Sequence, residues 1–290
     1  ILTRKKKEKQ RQQRLWEIFS NLSDCPDTVA DEVLYWQQMT EEQSRVYELA
    51  YGRILELEQQ QKQSLQEQKE YEDYIEAWAH EIKIPLSLMT LVLENRREDM
   101  SAPVYEKMNY TNRRMQDYVT QMLYYARLKA VHKDYVMEMV SLEEVCEDVV
   151  EEYTEYVDAQ SIEWRVQVGK EQVLTDRKGL HFMLEQILNN ACKYKDAGKE
   201  TSYIEMTTVV EENRIWLQIK DNGLGAEEAE IPFLPDKGFT GKTVMGQAKA
   251  TGMGLYLVAQ MAKDLSLCVD IESKVGESFI IRIGFPVISR

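Results

Sequence analysis

Apolar residues recur at steps of three, four and seven through Tyr71, Ile75, Trp78, Ile82, Met89 and Leu93, the pattern of a helix that buries one stripe. Between Thr40 and Pro85 there is no proline and one glycine, Gly52, so a long helix is expected from about Thr40. Its stretch from Glu58 to Glu70 is glutamine-rich with a thin apolar seam, as in a solvated spacer. That helix ends near Asn95-Arg96-Arg97-Glu98-Asp99, and Ser101-Ala102-Pro103 restarts another with proline in the first turn. The second helix carries Val104, Met108, Met115, Tyr118, Met122 and Tyr125 at near-heptad steps. Two amphipathic helices with a short connection predict an antiparallel hairpin. One hairpin leaves its stripe half covered, so a homodimer forming a four-helix bundle is expected.

After Lys129 the period changes. Strands are predicted at Tyr135 to Val140, Ile162 to Val166, Val173 to Thr175, Tyr203 to Val210, Arg214 to Lys220, Leu267 to Ile271 and Phe279 to Phe285. Helices are predicted from a capping-box start at Ser141-Leu142-Glu143-Glu144, from Arg177 to Tyr194 behind an Asp176 cap, and from Gly252 to Leu265. The expected fold is multidomain: an all-α helical hairpin, then an α+β sandwich with helices on one face of a mostly antiparallel sheet. The divisions predicted are a basic segment (1–14), a helical linker or signalling region (15–64), the hairpin (65–130) and the sandwich (131–290), with the boundary near Val131.

Charge adds a direction to this layout. Arg4, Lys5, Lys6, Lys7, Lys9, Arg11 and Arg14 face a single Glu8, although the whole 290-residue chain has a net charge of -14. The acidic body argues against a nucleic-acid partner. Ile1-Leu2 running into this basic run reads as the end of a transmembrane helix meeting its cytoplasmic flank, which predicts a membrane anchor upstream of Ile1 and a cytoplasmic location for the chain. A processed soluble protein with a basic arm is the alternative. Cys25, Cys146, Cys192 and Cys268 lack metal-ligand or disulfide-framework spacing and fit reduced thiols.

Five stretches carry candidate chemistry. His80-Glu81 lies in Trp78-Ala79-His80-Glu81-Ile82-Lys83-Ile84-Pro85, with His80 turned about 160° from Trp78 and Ile82 and hence away from the buried stripe. A solvated surface histidine reads the same way in isolation. In Gln186-Ile187-Leu188-Asn189-Asn190-Ala191-Cys192-Lys193-Tyr194, the residues Gln186, Asn190 and Lys193 share one helical face. Amide oxygens suit magnesium and a lysine suits phosphate. Asp221-Asn222-Gly223-Leu224-Gly225 follows a strand; its carboxylate can accept a proton from an exocyclic amine, and a plain turn is the alternative. Lys237-Gly238-Phe239-Thr240-Gly241 opens a polar loop to Thr251, and Thr251-Gly252-Met253-Gly254-Leu255 leads glycines into a helix start, an anion-site arrangement. His132 and His181 read as structural or solvated, neither having a carboxylate next to it in the chain.

This order of a histidine box, an Asn box, Asp-x-Gly-x-Gly, a Phe-containing lid and a Gly-x-Gly helix start resembles the catalytic core of bacterial two-component sensor histidine kinases over roughly Leu65 to Pro286. The resemblance implies a Bergerat-type (GHKL) ATP-binding fold, ATP and Mg2+ as cofactors, and autophosphorylation of His80 followed by transfer to an aspartate of a response regulator receiver domain. It implies His80 as phospho-acceptor with Glu81 as its acid/base neighbour and Asn190 as magnesium ligand. Gln186, Lys193, Tyr194, Asp221, Gly223, Gly225, Lys237, Gly238, Phe239, Thr240, Gly252, Met253, Gly254 and Leu255 are the implied nucleotide contacts. Gln186 stands where related ATPases carry a glutamate base for water, which favours transfer over hydrolysis. Ile84 stands where kinases that also dephosphorylate their partner have Thr or Asn. The His-Glu-Ile-Lys wording looks like the membrane-embedded kinases that sense peptide antibiotics (the bacitracin type) alongside an ABC transporter. A GHKL-type ATPase and a non-catalytic nucleotide-binding dimeric adaptor are the competing readings.

Overall fold

The computed structural model describes residues 41–130, 133, 135–211, 213–241 and 251–287. The basic segment, residues 15–40, the boundary at Val131, His132 and the 242–250 part of the predicted lid lie outside the described residues. The chain divides into two compact units between Glu67 and Gln68. In the first, the described residues are helical, and Leu49, Ile54, Leu57 and Leu65 are exposed on the single chain, in keeping with the thin seam expected there.

The second unit contains the C-terminal half of α1 (Glu41–Asn95), a short 3-10 turn (Arg97–Asp99), α2 (Ala102–Lys129) and a sheet domain. α1 and α2 form the antiparallel hairpin. Ala79, Leu86 and Val119 are its buried core, packed by Trp78, Ile82, Met115 and Leu123, while Arg127 pairs with Glu76 near the open end. The stripe expected on α2 needs correction: Val104, Met108 and Tyr118 are exposed, as is Tyr71 on α1, and the buried seven-residue row is Asn112, Val119 and Ala126. At the other end Asn112 is buried because its amide donates to Thr90 Oγ1 at 2.8 Å. Pro85 lies within α1 and removes the N–H that would bond the Glu81 carbonyl.

In the sheet domain, β1 (Met137–Ser141) pairs antiparallel with β3 (Gln172–Asp176), and α3 (Leu142–Ala159) starts where Ser141 accepts from the Glu144 N–H. The main sheet has the order β2 (Ile162–Gln167), β4 (Ser202–Glu211), β5 (Arg214–Asp221), β7 (Ser278–Pro286), β6 (Cys268–Lys274). It is mixed, because β2 joins β4 in parallel while the other three pairings are antiparallel. The parallel step arises because the β3–α4 excursion returns the chain to the opposite end before β4 begins. α4 (Arg177–Lys193) and α5 (Gly254–Asp264) join α3 over one sheet face; α5 starts two residues later than the glycine pattern predicts. Alternation sends Ile204 and Met206 of β4, Leu217 and Ile219 of β5, and Ile281, Ile283 and Phe285 of β7 into the core against Phe182, Leu188 and Val258. Among the described residues no helix is long and apolar enough to cross a membrane.

Candidate nucleotide and phospho-acceptor site

The inward parity of β5 continues one step past Ile219 to Asp221, which places a carboxylate in the row that otherwise holds Leu217 and Ile219. Asp221 is therefore 8% exposed, and burial pushes its carboxyl up to about 7, against the opposing pull of the Gly223 N–H and Lys199. The Gly223 N–H donates to Asp221 Oδ1 at 2.8 Å. A side chain at Gly223 is excluded, since a Cβ there would lie 2.4 Å from the Tyr194 carbonyl oxygen, and Leu224 N–H bonds that same oxygen at 2.9 Å. This turn is thereby fixed to the end of α4.

Asp221 borders a cavity of about 460 Å³, within the range of small-molecule sites. Gln186, Asn190, Lys193, Tyr194, Gly225, Phe239, Thr240, Gly252, Gly254 and Leu255 line it as well. Gln186, Asn190 and Lys193 come from the polar face of α4, whose other faces bury Leu184, Ile187, Leu188 and Ala191. The first turn of α5 comes close to that face: a Cβ on Gly254 would stand 3.4 Å from Gln186 Oε1 and 3.6 Å from Asn190 Nδ2. Gly252 has φ +64° and its carbonyl accepts from Gly238 N–H at 3.0 Å, so the segment at Gly238 is pinned to the helix start. Gly223, Lys237, Gly238 and Met253 stand behind this lining rather than in it. Lys237 instead donates to Tyr125 Oη on α2 at 2.7 Å.

Motif reading missed the second wall. Tyr110, Arg114, Asp117, Tyr118 and Gln121 of α2 line the same cavity. The two helices run antiparallel in a polar ladder: Gln121 Nε2 donates to Gln186 Oε1 at 2.8 Å, Asn189 hydrogen-bonds the Asp117 carboxylate, and Arg114 lies close enough to Lys193 to oppose its charge. Burial first, and Arg114 second, lower the Lys193 pKa. Tyr124 stacks on Phe182 with ring centroids 3.6 Å apart, which supplies an apolar contact beside the ladder. The polar positions on α2 at Arg114, Asp117 and Gln121 follow a three-and-four spacing that could have flagged a wet helix face, but nothing local names its partner.

His80 and Glu81 are exposed on α1 and do not line the cavity. Lys83, one turn on, is near enough to Glu185 of α4 to favour its ionisation, while burial, Glu152 and Asp117 raise Glu185 to about 7. The reading of His181 as lacking a carboxylate neighbour is corrected in space: its ring nitrogens lie 3.4 Å from Glu152 Oε2 and 3.9 Å from Glu185 Oε1. Glu185 is four residues along α4, one helical turn, so spacing alone could have paired them. One ligand atom from each of these three residues falls within 4.8 Å of the others, outside the cavity lining.

Residues 175–287 match the family of histidine kinase-, DNA gyrase B- and HSP90-like ATPases. The sensor histidine kinase YxdK of Bacillus subtilis is 31% identical over 240 residues, covering 81% of this chain and 72% of that protein. Sensor protein BceS of Bacillus subtilis is 30% identical over 215 residues, covering 74% of this chain and 62% of its own length. The chain thus spans between 62% and 72% of these relatives. Among solved structures, the Acinetobacter baumannii histidine kinase AdeS aligns over 72% of this chain and 98% of its own, with a TM-score of 0.50 and 17% identity, a likeness of fold. Full-length ShkA in complex with AMPPNP aligns over 75% of this chain and 47% of its own, with a TM-score of 0.53 and 18% identity. With an ATPase-family domain behind a helical hairpin, and with the YxdK match running through both, the chain belongs to the bacterial sensor histidine kinases.

Proposed function

We propose that this chain is a kinase core that moves the γ-phosphoryl group of ATP to His80 and from there to an aspartate on the receiver domain of a response regulator. The observation that carries this reading is an exposed His80-Glu81 pair on the hairpin, together with a cavity of about 460 Å³ lined by Asn190, Lys193 and Asp221. One imidazole nitrogen attacks the γ-phosphorus, ADP leaves with the electrons of the broken P–O bond, and the proton on the other ring nitrogen passes to Glu81. Asp221 in its carboxylate form accepts from the adenine amine, and Lys193 meets the polyphosphate. Tyr194, Gly223, Gly225, Lys237, Gly238, Phe239, Thr240, Gly252, Met253, Gly254 and Leu255 shape or back the walls.

The donor set suits magnesium, since Asn190 offers a hard amide oxygen and Gln186 Oε1, already accepting from Gln121, leaves the remaining positions to water and phosphate. Magnesium bound there would supply charge neutralisation to the phosphoryl oxygens. Gln186 cannot take a proton from water, which favours transfer over hydrolysis. Because His80 is outside the cavity lining, transfer needs either a swing of the sheet domain along the hairpin or delivery of His80 by a second protomer. Ile84, 53% exposed, offers no polar group to orient water for dephosphorylation.

The same reading assigns residues 65–130 to dimerisation and phosphotransfer and 131–290 to ATP binding, with 15–64 as a signalling linker. It assigns the basic 1–14 segment to the cytoplasmic side of a plasma-membrane anchor. The His-Glu-Ile-Lys wording supports a place among peptide-antibiotic sensors working beside an ABC transporter. The deciding experiment is incubation with magnesium and γ-labelled ATP, wild type against His80→Gln. Acid-labile, alkali-stable label lost in the variant is the expected result; hydrolysis without label, or label that survives the substitution, overturns it.

A further inference from the structure

Outside the cavity, α4 turns His181 and Glu185 toward α3, and α3 answers with Glu152. We propose that Glu152, His181 and Glu185 bind a divalent transition ion of the zinc class, at a site separate from the magnesium position at Asn190. The inference stands on these three residues and does not depend on the nucleotide reading of the cavity.

The arrangement is that of a metal site carried on two helices. His181 and Glu185 are one turn apart on α4, so both side chains leave it on one face. Glu152 reaches them from α3, and one ligand atom from each residue falls within 4.8 Å of the others. Ligand atoms around a tetrahedral zinc ion stand about 3.3 Å apart, given bonds near 2.0 Å, so modest side-chain rotation closes the set. That freedom lies with Glu152, whose side chain is 55% exposed, whereas those of His181 and Glu185 are 25% and 26% exposed. The backbone beneath is fixed: Val149 and Tyr153 of α3 share the core with Leu184 and Leu188 of α4, and Tyr153 Oη donates to the Glu185 carbonyl at 3.5 Å. Three protein ligands leave a fourth position to water.

Charge and donor type narrow the ion. The imidazole lies between the two carboxylates, its nitrogens 3.4 Å from Glu152 and 3.9 Å from Glu185, so an ion on either nitrogen has a carboxylate beside it. A dication there offsets the burial of Glu185 and its repulsion by Glu152 and Asp117. Lys83 of α1 attracts Glu185 from the hairpin side; being exposed, it can turn to solvent when an ion arrives. One imidazole nitrogen with two carboxylate oxygens suits zinc, cobalt, nickel or copper. Magnesium demands octahedral oxygen ligands and keeps its water, so the magnesium supplied with ATP leaves this site to other ions.

The test is titration of the untagged full chain, nucleotide-free and in excess Mg2+, with Co2+ followed by absorption and with Zn2+ followed by calorimetry. The proteins compared are wild type, His181→Gln, Glu152→Gln and His80→Gln. Wild type is expected to bind one ion without the charge-transfer band of a cobalt thiolate, which separates this site from the cysteines. His181→Gln and Glu152→Gln should each weaken binding at least about tenfold, the lower end of what even supporting residues around a metal cost. His80→Gln should bind as wild type does. Glu152 is half-exposed, so its variant reads the site without disturbing the core. Binding that survives both substitutions, or a thiolate band, would place the ion elsewhere and overturn the proposal. No saturable binding above the magnesium background would overturn it too, leaving a histidine held between two glutamates.

Discussion

Asp221 offers a perturbation whose size follows from its place in β5. Strand parity buries a carboxylate among Leu217, Ile219 and Ile204, and its pKa rises from the ordinary 3.8 to about 7. Ionising it in the folded protein therefore costs about 4 kcal/mol more than in the unfolded chain, a ceiling that water in the open cavity reduces. Since the folded value is the higher one, the fold binds the extra proton. Stability from this group is fully present below about pH 4, falls as pH rises, and is lost above about 7. Asp221→Asn keeps the oxygen that accepts from Gly223 and removes the titration. Between pH 5 and pH 8 the stability gap between variant and wild type should widen by about 3 kcal/mol at most, or roughly 5–10 °C in Tm. Scanning calorimetry of both proteins at the two pH values reads it directly. An offset of equal size at pH 5 and pH 8 would refute the reasoning, because a purely steric effect does not titrate. The variant that gains stability should lose function: ADP affinity is expected to fall at least about tenfold, because the adenine amine loses its carboxylate acceptor. Wild-type affinity for ADP should rise with pH toward about 7, as the acceptor form becomes populated.

Two further outcomes are expected. Gly252→Ala forces a side chain onto a backbone with φ +64°, with its Cβ 2.4 Å from the Gly238 carbonyl carbon, so the pinned lid segment must shift; a cost of about 1–3 kcal/mol should appear as a lower urea midpoint with an unchanged m-value. Ile84, Leu88 and Leu91 form an exposed row on α1, 53%, 57% and 52% exposed in the single chain, which fits a second hairpin; Leu91→Asp should give a monomer by light scattering, and a persistent dimer would place the interface elsewhere.

Much of the sheet domain was legible because its signals are local. Asp176 announces the start of α4, and its Oδ1 accepts from Gly179 N–H at 2.6 Å as a cap should. Alternation in Trp216 to Asp221 marks both β5 and the inward side of Asp221. The hairpin was harder, since Met and Tyr at plausible steps outnumbered the row that packs. Asn112 and Ala126 look unremarkable as core residues until a partner helix approaches, and Asn112 is tolerated there because Thr90 accepts from it. His181 shows the same limit: Glu185 is its neighbour by helical spacing, whereas Glu152 reaches it from α3.

By itself the amino-acid order determined the elements, the polar face holding Gln186, Asn190 and Lys193, and the exposure of His80, because each depends on a period of two or 3.6 along a single segment. Tertiary structure alone decided that α2 closes the cavity, that Arg114 stands beside Lys193, and that Lys237 turns away to Tyr125. Those outcomes depend on which surfaces meet, and a surface contact between distant segments is selected by the packing of both partners at once rather than by the pattern within either.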